Sequence, residues 1–145
     1  MLRPARMPAS PTGSVWAMGS EPLRVLIVDD EPDVMLLLRV QLEGRPDVAV
    51  VGTASDGQEA IEQCHALQPD AVIMDLLMPR MNGFQAIEAL ARDLPDIGLV
   101  AYSAVAGEHV RDEMDKLGVP LLLKSGEVGP LVEALQQAAA KAGRK

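Results

Sequence analysis

The chain predicts an α/β fold, a doubly wound five-stranded parallel sheet with helices on both faces, and three observations lead there. Short apolar runs alternate five times with helix-length segments, without a long insertion, which is the pattern of parallel βα units. The runs are apolar throughout rather than alternating, as in strands covered on both faces. Aromatic residues make up only 2% of the 145 residues while hydrophobic residues make up 48%. The core must therefore be built from Val, Ile, Leu, Met and Ala, which suits helices packed on a sheet. A chain of this length buries a sizeable core as one domain without disulfides or metals.

Residues 1–21 are rich in Pro, Ala, Ser and Gly, with Trp16 the only bulky anchor, and are expected to form a disordered tail in which Met18 is an alternative start. The folded domain is expected over 22–142, with 143–145 a C-terminal tail. Leu23 to Val28 is the first strand, followed by Asp29, Asp30 and Glu31. The next helix runs from Pro32, well placed in a first turn, to Glu43 and is closed by Gly44. Val34, Met35, Leu36, Leu37, Leu38, Val40 and Leu42 cover more than one of its faces, whereas a helix lying on a sheet needs an apolar stripe only about 100° wide. Either some of these side chains stay exposed as a docking surface for another helix, or neighbouring elements bury the helix more completely.

Val48 to Ala54 is the second strand, and Asp56-Gly57 turns into a helix through Leu67. Cys64 beside His65 does not make a metal pair, since adjacent helical positions point in different directions; Cys64 belongs to the core and His65 to solvent. Ala71 to Met74 is the third strand, bounded by Pro69 and Pro79 and leaving the sheet at Asp75. Asn82-Gly83 makes a turn and an N-cap, and Phe84, Ile87, Leu90, Ala91 and Leu94 follow at helical spacing. The fourth strand, Ile97 to Tyr102, ends at Ser103. The fourth helix, about Gly107 to Leu117, carries only Val110, Met114 and Leu117 as a thin apolar stripe, which makes it a candidate for motion. Val119 to Leu123 is the fifth strand, ending on Lys124-Ser125-Gly126, and a last helix runs from near Pro130 to about Ala142.

The formal charge is −8, and residues 21–145 alone carry 11 basic against 21 acidic side chains, a net of −10. Such a surface repels phosphate backbones, which argues against direct nucleic-acid binding, and it favours a divalent cation. The single Cys64 cannot form an internal disulfide. No apolar run approaches the ~18 residues of a membrane span, and the Pro-broken N-terminus lacks a signal-peptide pattern, so a cytoplasmic location is expected.

Nothing in a buried strand asks for a charge at its end, yet four strands finish on polar groups: Asp29 and Asp30, Asp75, Ser103, and Lys124. In a parallel sheet these ends share one edge, where open α/β sheets bind ligands, and a strand order of 2-1-3-4-5 sets them side by side. Capping of the next helix can account for one or two of Asp29, Asp30 and Glu31, but not easily for all three beside Asp75. The set describes a phosphoryl-acceptor site. Asp75 supplies a carboxylate nucleophile able to form an acyl phosphate. Mg²⁺ held by Asp30 and Asp75, with Asp29 acting through water, neutralises the charges. Lys124 and the Ser103 hydroxyl bond phosphoryl oxygens.

With these residues assembled, residues 22–142 resemble the receiver domain of two-component response regulators, a flavodoxin-like (βα)5 fold. The resemblance rests on Val25-Leu26-Ile27-Val28-Asp29-Asp30-Glu31, on Asp70-Ala71-Val72-Ile73-Met74-Asp75 with Met78-Pro79 and Asn82-Gly83, on Ser103-Ala104, and on Leu122-Leu123-Lys124. It implies that Asp75 takes a phosphoryl group from a histidine kinase or phosphotransfer protein, with Asp29, Asp30, Asp75 and the Leu77 backbone carbonyl around Mg²⁺. It also implies that Ser103 and Lys124 sense the phosphoryl group, that the output is contact with a downstream protein or a second copy, and that the chain is no enzyme beyond assisting its own phosphorylation and dephosphorylation.

The chain departs from that pattern in places. Relatives often carry an aromatic switch residue three positions before the Lys; here that position is Leu121, while Tyr102 lies on the neighbouring strand. Ser125 stands where Pro is common, a variant that resembles receivers joined to a helix-turn-helix output domain. Leu77 and Val105 are apolar where many relatives carry polar groups, which predicts slow hydrolysis of the phospho-aspartate. The expected function is a stand-alone receiver. The alternatives are the receiver portion of a transcription regulator, or an aspartate-nucleophile phosphatase, which typically needs an acid two residues after the nucleophile, where this chain has Leu77.

Overall fold

The computed structural model describes residues 21–78, 81–104, 107–124 and 127–143. The expectations for residues 1–20, Trp16 and Met18 among them, and for Pro79, Val105, Ser125, Gly126 and 144–145 lie outside the described residues. Five strands and five helices alternate: β1 (Leu23–Val28), α1 (Pro32–Glu43), β2 (Val48–Ala54), α2 (Gly57–Leu67), β3 (Ala71–Asp75), α3 (Gly83–Asp93), β4 (Gly98–Ser103), α4 (Glu108–Leu117), β5 (Leu121–Leu123) and α5 (Val128–Ala142). The sheet is parallel, in the order β2-β1-β3-β4-β5.

Side-chain alternation along the strands divides the core in two. Leu26, Val28, Val72, Met74, Leu99 and Ala101 face the layer that holds Cys64, Ile87 and Met114. Val25, Ile27, Ile73, Val100 and Tyr102 face Leu38 and Leu42 of α1 and Leu131, Val132 and Leu135 of α5. β3, at the centre, is buried along its whole length.

Local chemistry accounts for most boundaries. Asp56 caps α2 by accepting from the Glu59 amide at 2.8 Å, and Asn82 with Gln85 forms a reciprocal capping box on α3. Gly118, at φ 70°, ends α4 in the left-handed region that glycine adopts without strain. β4 shifts by one residue at each end, from the expected Ile97–Tyr102 to Gly98–Ser103, and three further boundaries differ from expectation. β3 runs one residue further, so Asp75 pairs with Tyr102 inside the ladder; the ladder uses backbone groups and is indifferent to a terminal charge. β5 begins only at Leu121, because the Val119 amide closes α4 on Met114 and Pro120 has no amide to donate. α5 begins two residues before Pro130, which its first turn tolerates because those amides lack intrahelical partners.

Helix α1 decides between the two readings of its apolar surface. Leu38 and Leu42 are buried, while Leu36, Leu37 and Val40 remain 63%, 53% and 62% exposed. Cys64 is fully buried and His65 exposed, as expected.

Candidate functional site

β1 and β3 are neighbours, so their ends bring Asp29 and Asp30 to Asp75. One carboxylate oxygen from each of the three lies within 4.8 Å of the others. Asp29 and Asp75 are buried, while Asp30 faces solvent. Backbone contacts fix the rim. The Asp29 amide donates to Ala54 O at 3.1 Å, joining the ends of β1 and β2, and the Lys124 amide donates to Ser103 O at 2.9 Å, joining those of β4 and β5.

The positive group among the acids is Lys124. Its Nζ lies 2.8 Å from Asp29 Oδ2 and 3.4 Å from Asp75 Oδ1. Asp29 also accepts from the Glu31 amide through Oδ1 at 2.9 Å, and Asp75 from the Leu77 amide at 3.3 Å. Glu31 occupies the N-cap position of α1 but makes no side-chain cap, and Pro32 follows it. Capping therefore does not account for this acidic run.

Burial pushes the Asp75 carboxyl up from 3.8 to about 6; the charge of Asp29 adds to the rise, and Lys124 with the Leu77 amide opposes it. For Lys124, burial disfavours the charge, but its bond to Asp29 and the charges of Asp75 and Asp29 prevail, and its pKa is raised. The donor set is hard oxygen, with three convergent carboxylates, and suits a cation such as Mg²⁺.

Ser103 is buried at the same edge, the last residue of β4. The register sets Tyr102, not Ser103, opposite Asp75, so Ser103 stands one residue further out and alternates to the side of Ala101. Leu77 follows β3 with its side chain 64% exposed. Leu121 packs against the α2–α4 side of the core and Tyr102 against the α1–α5 side.

The sequence points to Gly83 and Tyr102 but not to what either of them touches. Gly83 donates its amide to Leu76 O at 3.1 Å, and a Cβ there would overlap the Asp75 carbonyl; the Asn82-Gly83 turn signalled the glycine but not what it touches. Tyr102 lies beneath Lys124, whose Nζ is 5.9 Å from the ring centroid, and no local signal announces that.

Five parallel strands in this order, with an acid–lysine cluster on their carboxyl edge, define a CheY-like receiver. The response regulator receiver domain family matches residues 25–136, and the chain belongs to that family. It is 34% identical over 117 residues to the response regulator protein VraR of Staphylococcus saprophyticus, covering 80% of this chain and 56% of that protein. It is 35% identical over 123 residues to the nitrate/nitrite response regulator protein NarL of Escherichia coli K12, covering 83% and 56%. The chain thus spans about half the length of these relatives. Among solved structures, the response regulator domain of Thermotoga maritima CheB superposes with a TM-score of 0.74 at 30% identity, covering 82% of this chain and 97% of that one. The signal receiver domain of the putative response regulator NarL from Mycobacterium tuberculosis gives 0.74 at 31% identity, covering 83% and 98%.

Proposed function

We propose that this receiver accepts a phosphoryl group on Asp75 from a phosphohistidine of a histidine kinase or phosphotransfer protein. The observation that carries the reading is the convergence of Asp29, Asp30 and Asp75 on one point within reach of Lys124. An Asp75 oxygen attacks phosphorus, the P–N bond breaks, and the donor imidazole keeps the electron pair. Burial raises the basicity of the Asp75 carboxylate, which favours it as a nucleophile. Charge neutralisation on the phosphoryl oxygens would come from Mg²⁺ held by Asp29, Asp30, Asp75 and the Leu77 carbonyl. Lys124 exchanges its contact with Asp75 for a phosphoryl oxygen, and Ser103 donates its hydroxyl to another. The transfer is stoichiometric, so the protein is not a turnover enzyme. A cytoplasmic location fits this chemistry.

The kinase-side partner meets the exposed Leu36, Leu37 and Val40 of α1, which suit an amphipathic helix. A changed surface then meets a downstream protein or a second copy. Two settings stand for the domain: a stand-alone receiver, or the receiver portion of a transcription regulator. The second is favoured by similarity to longer relatives of which the match spans only about half, among them the transcriptional regulatory protein LiaR of Bacillus subtilis, 32% identical and 56% covered.

Mass spectrometry after incubation with acetyl phosphate and Mg²⁺ tests the reading. An adduct of about +80 Da is expected on the wild type and absent from Asp75→Ala. No adduct on the wild type, or an equal one on Asp75→Ala, overturns it.

A further inference from the structure

We propose that Tyr102 is the positioning residue for Lys124 and links the acidic cluster to helix α5, a role that rests on the phosphoacceptor reading above. Register, facing and proximity each contribute. Tyr102 is the β4 residue paired with Asp75 on β3, and it also pairs with Leu122 on β5, two residues before Lys124. It therefore sits between the strand that carries the acceptor and the strand that carries the lysine. Its ring lies 5.9 Å from the Lys124 ammonium, within the range in which an aromatic face attracts a cation. Tyr102 is 5% exposed, and its neighbours in the core include Leu131, Val132 and Leu135 of α5.

Among the described residues Lys124 has two carboxylates, Asp29 and Asp75, and one aromatic ring as partners. When phosphorylation draws the ammonium toward a new anionic oxygen, the ring loses or shifts its contact with the cation, and the packing of that ring against α5 responds. Leu121 cannot take this part. It has no aromatic face, and it packs on the other side of the sheet, with the α2–α4 layer. In this chain the aromatic ring coupled to the lysine thus stands on β4 and faces α5, rather than on β5 facing α4. At the base of α5's packing, β4 approaches closely enough that a Cβ on Gly98 would fall 2.5 Å from Ala139 N, so the two backbones pack without an intervening side chain there.

The chain contains a single Tyr, so growth on 3-fluorotyrosine places one fluorine reporter, at Tyr102. The ¹⁹F line is recorded before and after acetyl phosphate and Mg²⁺, with the adduct followed by mass on the same sample. Acetyl-phosphate labelling rates are measured in parallel for Tyr102→Phe and Tyr102→Leu. The line is expected to move as the adduct forms and to stay in place in Asp75→Ala. Tyr102→Leu is expected to label about three- to fivefold more slowly, the scale of one cation–π contact, and Tyr102→Phe, which keeps the ring, at close to the wild-type rate. An adduct that forms while the line stays unmoved overturns the role of Tyr102 and leaves the phosphoacceptor reading standing. So does an unchanged rate in Tyr102→Leu, or a Tyr102→Phe as slow as Tyr102→Leu. Absence of any adduct on the wild type overturns both. The fluorine line is read on the wild-type chain, so a variant that fails to fold still leaves a decisive result.

Discussion

The two edges of the sheet each bury a carboxylate and use it in opposite ways. At the amino edge, Asp70 is buried and accepts from the Arg24 amide at 2.8 Å, while its own amide and carbonyl pair with Arg24 O and the Gly98 amide. The Arg24 guanidinium closes the end of α2 on the carbonyls of Gln68 and Leu67 at 2.7 and 2.8 Å. Every one of those contacts has a backbone partner, which fixes β1, β3, β4 and α2 in one arrangement. At the carboxyl edge, Asp29 and Asp75 face each other and share one lysine, and burial leaves Asp75 with a raised pKa. A carboxylate satisfied by amides stabilises a fold. One buried beside another carboxylate carries an electrostatic cost that its amide and lysine contacts only partly offset.

The contrast can be broken from either side. The largest stability change is expected for Asp70→Ala, which strands the partly buried Arg24 amide and loosens three strands: a loss of about 2–3 kcal/mol in denaturant unfolding, with phosphorylation of the folded fraction retained. A loss below about 0.5 kcal/mol would mean that the amino edge is not the fastener described.

The opposite sign is expected for Asp75→Asn. The folded-state pKa of Asp75 is raised from 3.8 to about 6, so the native state holds the proton more tightly than the unfolded chain does. The contribution of this group is fully favourable below about pH 4 and is lost as pH rises to about 6. Removing the charge should therefore stabilise the metal-free protein at pH 7 by about 2 kcal/mol, with the gain vanishing near pH 4. A variant less stable than wild type at pH 7 would refute the electrostatic cost. Mg²⁺ should raise the melting temperature of the wild type more than that of Asp75→Asn.

The smallest effect concerns only the carboxyl edge. Leu77→Asn, at a side chain 64% exposed, should leave stability within about 0.5 kcal/mol while shortening the phospho-aspartate lifetime several-fold by offering an attacking water a polar neighbour. An unchanged lifetime would remove the apolar side chain as its determinant.

Much of this molecule was legible in its sequence because the relevant signals are local. Apolar runs between Pro69 and Pro79, the Asn82-Gly83 turn and cap, and Pro32 ahead of an apolar helix each report backbone preferences within a few residues. The strand-end acids Asp29, Asp30 and Asp75 were legible because a charge at the end of a buried strand is conspicuous, and parallel strands share an edge. What the sequence left open on α1, an apolar surface either exposed or covered, turned on how neighbours pack.

The pairings across the sheet belonged to tertiary structure alone. Lys124 meets Asp29 at a separation of 95 residues, and only the completed sheet sets that lysine between the acids rather than free above them. Tyr102 and Leu121 lie on opposite faces because of strand register, which a one-residue slip would reverse. Gly83 lies against the Asp75 carbonyl because the start of α3 packs on the end of β3. By itself the sequence determined which elements form and which chemical groups end them; register and layer packing decided which of those groups touch, since such contacts depend on alignments between segments that no local preference encodes.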